Sequence, residues 1–299
     1  MSIALVYSAE LRNNGTPVLF WDSLKRGMGI GDRVVRYTPI GKIPEHQFYL
    51  YIDDGRDDLT WECPHPNAYY AIDTHLGYDY RLNKARGFDR VYCAQRNGAE
   101  RMQADGVDAK WLPLACHPPA HPNLEELMRH PDRQRLGSHG FDRCWDVVFV
   151  GFINQGAGEG SHNRLDYLDA LFKALPNFWC TTNCFFEDMA IRYARGRVGV
   201  NVSIKDDLNM RFFEILSIGT CLLTNRDVVG LEDLGFVEGE HFVGFEGIEE
   251  MISQCKWCLA NPEKREEIAK AGHEKVRAEH TYVHRAARIL EDAGIKEIT

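Results

Sequence analysis

The chain has 299 residues, of which 44% are hydrophobic and 26% charged, the balance of an ordinary globular protein with enough chain for two domains of about 150 residues each. The formal net charge of -9 argues against a general polyanion partner such as nucleic acid, which usually faces a basic stripe. The first eight residues are too short and too weakly basic for a leader, no apolar run reaches the ~18 residues of a membrane span, and nine scattered cysteines suit a reducing cytoplasm better than a disulfide framework.

In chain order, residues 3–7, 47–53 (QFYLYID), 68–73 (AYYAID), 90–94 (RVYCA) and 110–115 (KWLPLA) are short runs rich in β-branched and aromatic side chains. Each is bounded by turn residues and is predicted as a strand. Residues 95–105 are expected as a helix between two of them, whereas 8–46 give no clear pattern. Strands alternating with helices imply parallel pairing in a layered α/β domain. Residues 116–143, rich in proline, histidine and charge, are expected to be a linker carrying at most a short helix at 124–129.

A second α/β series begins at Trp145. Residues 146–150 (DVVFV) predict a buried strand ending at Gly151, followed by the loop GAGEGS at 156–161. Asn163 is expected to cap a helix that runs to Leu175. Strands at 178–182, 198–202 and 221–224 and helices at 185–195, 210–218, 248–260 and 262–279 follow, the last with Pro262 at its first turn. An amphipathic stretch at 282–293 closes the chain. Expected domains are 1–142 with its linker, 143–281, and a C-terminal helix at 282–299 that packs back on the first domain. Two such halves form a pair of Rossmann-like domains, whose ligands sit beyond the carboxyl ends of the strands, in a cleft.

The sharpest local signal is NMRFFEILSIG at 209–219. It places Glu214 in the first turn of a helix that is otherwise apolar, and hence buried. A buried carboxylate must be paired or hydrogen-bonded. It either serves the helix itself, with Arg211 beside it, or accepts hydrogen bonds from two ligand hydroxyls such as those of a ribose. The helix-start amides with Arg211 form a natural phosphate site. Asp206 and Asp207 precede it and read singly as a solvated acidic loop. Gly151, the following loop, Asn163 and Arg164 form a strand–loop–helix phosphate cradle, without the spacing of a dinucleotide fingerprint or a P-loop.

Asp73-Thr74-His75 follows a strand, and His75 is suited either to a structural role or to a sugar hydroxyl or a proton. Asp53-Asp54-Gly55 reads as a turn or a pocket wall. Cys255 and Cys258, Cys180 and Cys184, and Cys116 with His117 and His121 lack a full metal-ligand set, so no metal site is expected.

Together these segments resemble the CgeB-like (spore-maturation-type) glycosyltransferases, relatives of the group-1 retaining enzymes. The blocks are IDDG at 52–55, YYAIDTHLGYDYRL at 69–82, FDRVYCAQRNGAERM at 88–102, WLPLACHP at 111–118 and WDVVFVG at 145–151. CFFEDMAIRYARGRVGVNVSI at 184–204, DLNMRFFEILSIGTCLLTN at 207–225 and EHTYVHRAARIL at 279–290 complete the set. The resemblance implies a GT-B fold with two Rossmann-like domains facing each other. The implied activity moves a sugar from a nucleotide-diphosphate sugar to an unidentified acceptor (glycan, protein or small molecule), with retention, without a metal and without a cofactor beyond the donor.

By the same resemblance Glu214 holds the ribose hydroxyls, and Asn209, Met210 and Arg211 approach the diphosphate. Gly151, Asn163 and Arg164 belong to the phosphate-facing loop. Asp73 and His75 face the transferred sugar, and Asp206 holds the place of the first acid in the related group's paired-acid motif. The residues alone leave two other readings open: a nucleotide-sugar epimerase or hydrolase of the same fold, and a non-catalytic nucleotide-binding module.

Overall fold

A computed structural model describes residues 2–8, 15–39, 41–53, 55, 62–129, 143–153, 164–205 and 207–295. The chain divides into two compact units, Met1–Leu114 with Tyr282–Thr299, and Ala115–Thr281.

The first unit is a six-stranded sheet in which every pairing is parallel. Its strands are β1 (Ile3–Val6), β2 (Val34–Tyr37), β3 (Phe48–Ile52), β4 (Asn67–Ala71), β5 (Val91–Cys93) and β6 (Ala109–Trp111), in the order β2-β1-β3-β4-β5-β6. All residues of β1, β3 and β4 are buried, because a parallel sheet covered on both faces takes apolar side chains continuously rather than in alternation. The edge strand β2, with the sequence VVRY, buries only its first residue and so carries no such run. The helices are α1 (Thr16–Asp22), α2 (Tyr78–Ala85) and α3 (Arg96–Ala104).

Asp53, at the end of β3, is the polar anchor of this unit. It is fully buried and accepts from Arg81 Nε on α2 at 2.5 Å, from the Ile72 amide at 3.3 Å and from the Gly55 amide at 2.8 Å. Its carboxylate is thus committed to an ion pair and to a local Asx-type turn, which decides between the two readings of this segment in favour of the turn. Asp54 lies outside the described residues.

The last helix, α10 (Tyr282–Asp292), belongs to the first unit. Tyr282 packs against Phe20 with the rings tilted and their centroids 5.0 Å apart, Arg285 donates to the carbonyls of Pro113 and Leu114, and Asp292 accepts from Tyr92 at 3.0 Å and Lys110 at 2.9 Å.

The second unit holds a five-stranded sheet, again parallel at every pairing. Its strands are β7 (Trp145–Val150), β8 (Phe178–Thr181), β9 (Gly196–Asn201), β10 (Cys221–Asn225) and β11 (Val243–Phe245), in the order β11-β10-β9-β7-β8. The helices are α4 (Leu124–Arg129), α5 (Arg164–Ala174), α6 (Phe186–Ala194), α7 (Met210–Ile218), α8 (Gly247–Ala260) and α9 (Pro262–Glu279). Cys221, Cys255 and Cys258 are buried in its core with Val198, Val200, Leu223 and Phe245.

The expected linker is shorter than the sequence suggests. Cys116, His117 and His121 are buried, and Cys116 bridges to Thr281, so the second unit starts at residue 115 rather than 143. Pro118 and Pro122 are half-buried and Pro119 is exposed, so the loop buries its cysteine and histidines while its prolines face outward.

Candidate nucleotide-sugar site

The carboxyl ends of β7, β9 and β10 come level through the strand register, with Val148 beside Gly199 and Thr224 beside Asn201. Beyond this edge stands the start of α7. Asn209 caps the helix, its side-chain oxygen accepting from the Phe212 amide at 3.3 Å. At the far end Gly219 takes the left-handed conformation at φ 78°, closing the helix with Gly219 N–H to Leu216 O and Thr220 N–H to Ile215 O; this is the conformation glycine adopts without penalty. A Ser/Thr/Asn/Asp cap of this kind is typically worth about 1 kcal/mol.

A polar network under the helix start fixes its approach. The Asn209 amide donates to Asn201 Oδ1 at 3.1 Å and to Ser203 Oγ at 3.3 Å, while the Ser203 amide donates to Asn225 Oδ1 at 2.8 Å. Ser203 Oγ–H in turn donates to the Asp207 carbonyl. The Asn209 side chain is therefore spent on the protein, and the Asn209 backbone amide donates to Asp207 O at 2.9 Å, so an anion at the helix start would be met by the amides that follow it. Asn201, Ser203 and Asn225 are absent from the sequence reading because a polar residue closing a strand looks like any turn former.

Arg211 lies across the end of β7. Its Nε donates to Val150 O at 2.7 Å, its Nη1 to Asn201 Oδ1 at 3.1 Å, and its guanidinium carbon sits 4.7 Å from the Phe149 ring centroid. Gly151 makes this possible: a Cβ there would stand 1.9 Å from Arg211 Nη2. Arg164 reaches the same place from α5, donating to Val202 O at 2.9 Å and Phe152 O at 2.6 Å, with the Phe149 ring 5.9 Å away.

Both arginines bind carbonyl and amide oxygens, and among the described residues neither is in an ion pair. Burial first, and then the Arg211 charge, pushes the Arg164 guanidinium down to about 9. Two neighbouring guanidinium groups, one of them buried and neither in an ion pair, are an arrangement that an anion would relieve.

Glu214 is the fifth residue of α7, so it stands in the second turn rather than the first. It is 6% exposed, and burial pushes its carboxyl up to about 7, with the Arg211 charge pulling the other way. A buried carboxyl raised toward neutrality and next to Arg211 is a candidate functional acid.

Met210 is the first residue of α7 and half-buried. Asn163, the glycine-rich loop at 156–161 and Asp206 lie outside the described residues. Asp207 is buried, its amide donating to Ile204 O at 3.1 Å.

In the first unit, Asp73 and His75 are half-buried at the carboxyl end of β4. Between them Thr74 is buried, its amide and hydroxyl both donating to Gln95 Oε1 at 3.2 Å. Asp73 has φ 54°, and its carbonyl accepts from the Leu76 amide at 2.9 Å. Thr74 is thus the clamp of this turn, and Asp73 and His75 are the side chains it presents. Among the described residues no group of three or more His, Cys, Asp or Glu is placed to hold a metal ion, and no helix is long and apolar enough to cross a membrane.

Residues 167–291 match the glycosyl transferase-like family model. No curated protein matches the chain in sequence. Among solved structures, the Anabaena HepE protein in complex with UDP and glucose is similar at 12% identity and TM-score 0.69, over 98% of this chain and all of that one. Sucrose-phosphate synthase from Thermosynechococcus elongatus is similar at 11% identity and TM-score 0.64, over 98% of both chains. The UDP-GlcNAc 2-epimerase of Neisseria meningitidis bound to UDP-GlcNAc is similar at 10% identity and TM-score 0.55, over 99% of this chain and all of that one. The two parallel-sheet units therefore match the GT-B fold of these structures, and residues 167–291 of the second unit carry the match to the glycosyl transferase-like family.

Proposed function

We propose that the donor is a nucleoside-diphosphate sugar held at the start of α7, and that the enzyme belongs to the CgeB-like branch suggested by its sequence blocks. The observation that carries this reading is the pair Arg164, buried, and Arg211, half-buried, neither in an ion pair among the described residues, with Glu214 buried on the same helix as Arg211. The diphosphate supplies the missing anion, and the ribose hydroxyls supply donors for the Glu214 carboxylate. The base is set as uracil for a first test because HepE was solved with UDP; the acceptor is a glycan, protein or small molecule.

In the reaction, negative charge grows on the leaving diphosphate as the glycosidic bond opens and positive charge grows on the sugar. Arg211, Arg164 and the amides at the start of α7 meet that negative charge within the site, where preorganised donors need no reorganisation. This arrangement supports leaving-group stabilisation without a metal. Asp73 and His75 are proposed to orient sugar or acceptor hydroxyls, and retention follows if the acceptor attacks from the leaving-group side. Nine free cysteines support a cytoplasmic setting.

The test is release of nucleoside diphosphate from a panel of UDP-, GDP- and ADP-sugars, with and without a chelator. Release from one base class, at a rate the chelator leaves unchanged and an acceptor raises, is the expected outcome. An altered sugar still attached to its nucleotide, with no diphosphate released, would point to epimerase chemistry instead.

A further inference from the structure

Glu214 has a neighbour that the donor-site reading does not use. His121, from the packed loop ahead of α4, is fully buried, and its Nε2 lies 3.4 Å from Glu214 Oε1. The tautomer follows from the other ring nitrogen. The His117 amide donates to His121 Nδ1 at 3.2 Å, so Nδ1 is an acceptor and the ring proton resides on Nε2. That Nε2 is buried and makes no hydrogen bond among the described residues. Leaving a buried N–H unmet is costly, and Glu214 Oε1 at 3.4 Å is the carboxylate oxygen that a small shift brings to it.

The ring is held from behind. The His121 carbonyl accepts from Ser217 Oγ on α7 at 3.2 Å and from Arg277 Nη2 on α9 at 3.1 Å. Arg277 in turn grips both oxygens of Glu126 on α4, at 2.5 and 2.7 Å. We propose that His121 is a positioning residue for Glu214: its Nε2–H faces one carboxylate oxygen and leaves the other to the hydroxyls of the bound nucleotide. This inference rests on the reading of Glu214 as the ribose-binding acid.

The charges around the pair fit that role. From α7, Arg211 faces Glu214; from α6, the Tyr193 phenol feels the Glu214 charge; from the loop and α9, His117 and Arg277 act on His121. His273 on α9 is turned away, to Leu216 O and Asn123. Burial first, then His117 and Arg277, pushes the His121 imidazole down to about 3, so it stays neutral and acts as a fixed donor rather than a proton store. The Glu214 carboxyl ionises at about 7. A donor facing it favours the charged form.

The experiment is calorimetric titration of UDP, GDP and ADP between pH 6 and 9, using wild type, His121→Phe, His121→Gln, Glu214→Ala and the double variant. His121→Phe keeps the ring shape without the donor; should it fail to fold, His121→Asn, whose amide stops short of Glu214, takes its place. The expected result is about a tenfold loss of nucleoside-diphosphate affinity at pH 7, with recovery at higher pH as Glu214 ionises later. His121→Gln, with an amide near the old Nε2, restores most of the affinity. His121→Phe adds nothing in the Glu214→Ala background.

Wild-type affinity in His121→Phe at every pH, or an equal loss in the Glu214→Ala background, overturns the positioning role. If Glu214→Ala weakens binding and His121→Phe does not, this inference alone fails. If Glu214→Ala leaves binding intact, the ribose-site reading fails and takes the inference with it.

Discussion

Arg211→Ala is expected to lower kcat/KM for the donor sugar by about 10²–10³-fold, the scale of losing one preorganised charge-stabilising donor. The loss should fall mainly on kcat, because charge on the leaving diphosphate is greatest in the transition state. Gly151→Ala provides the companion result. A Cβ at 151 would stand 1.9 Å from Arg211 Nη2 and 2.6 Å from its central carbon, so the guanidinium must leave its bonds to Val150 O and Asn201. Gly151→Ala is therefore expected to reproduce most of the Arg211→Ala defect in initial-rate kinetics, with an unchanged far-UV circular dichroism spectrum. Full activity in Gly151→Ala would mean that the seat of Arg211 on β7 is not its working position.

Glu214→Gln should separate stability from function. The carboxyl is raised from an ordinary 4.5 to about 7, so between those values the folded chain binds more protons than the unfolded one. Stability from this group is then greatest below pH 4.5 and is lost as pH rises through 7. Glutamine, of the same shape and always neutral, escapes that loss. At pH 8 the variant is expected to be more stable by about 1–3 kcal/mol, seen as a thermal midpoint several degrees higher, with no difference near pH 4.5. The same variant should bind nucleoside diphosphate at least about tenfold more weakly, since a charged acceptor becomes a neutral one. Melting curves at pH 4.5 and 8 check the first part. A midpoint at pH 8 equal to or below wild type would show that the buried carboxylate is already compensated in the empty protein.

The sequence makes the second unit's frame legible because its strands are continuous apolar runs and α7 is apolar nearly all round. These are the patterns that burial on both faces of a sheet, or on all sides of a helix, imposes. The edge strands β2 and β11 are missed because runs of three or four residues are too short to carry a periodic signal, even where, as in β11, every residue is buried. Residues 115–122 mislead because proline marks irregular backbone, and irregular backbone is usually solvated. Here residues 115–117 and His121 are buried.

At the site, spacing along the chain singles out Gly151, Arg164, Arg211 and Glu214. It does not show that Gly151 serves Arg211 sixty residues later, nor that Asn201, Ser203 and Asn225 hold the start of α7 together. Those relations exist only once the parallel register of β7, β9 and β10 aligns their carboxyl ends.

The central claim is that α7 receives the nucleotide of a donor sugar. Thermal shift of wild type and Glu214→Ala against UDP, GDP, ADP and their sugars tests it most directly. A ligand that binds only the folded chain, at a hundred times its Kd, adds about 2.7 kcal/mol. A clear upward shift for one base in wild type, lost in Glu214→Ala, is the predicted result. No shift with any nucleotide, or the same shift in both proteins, would contradict it.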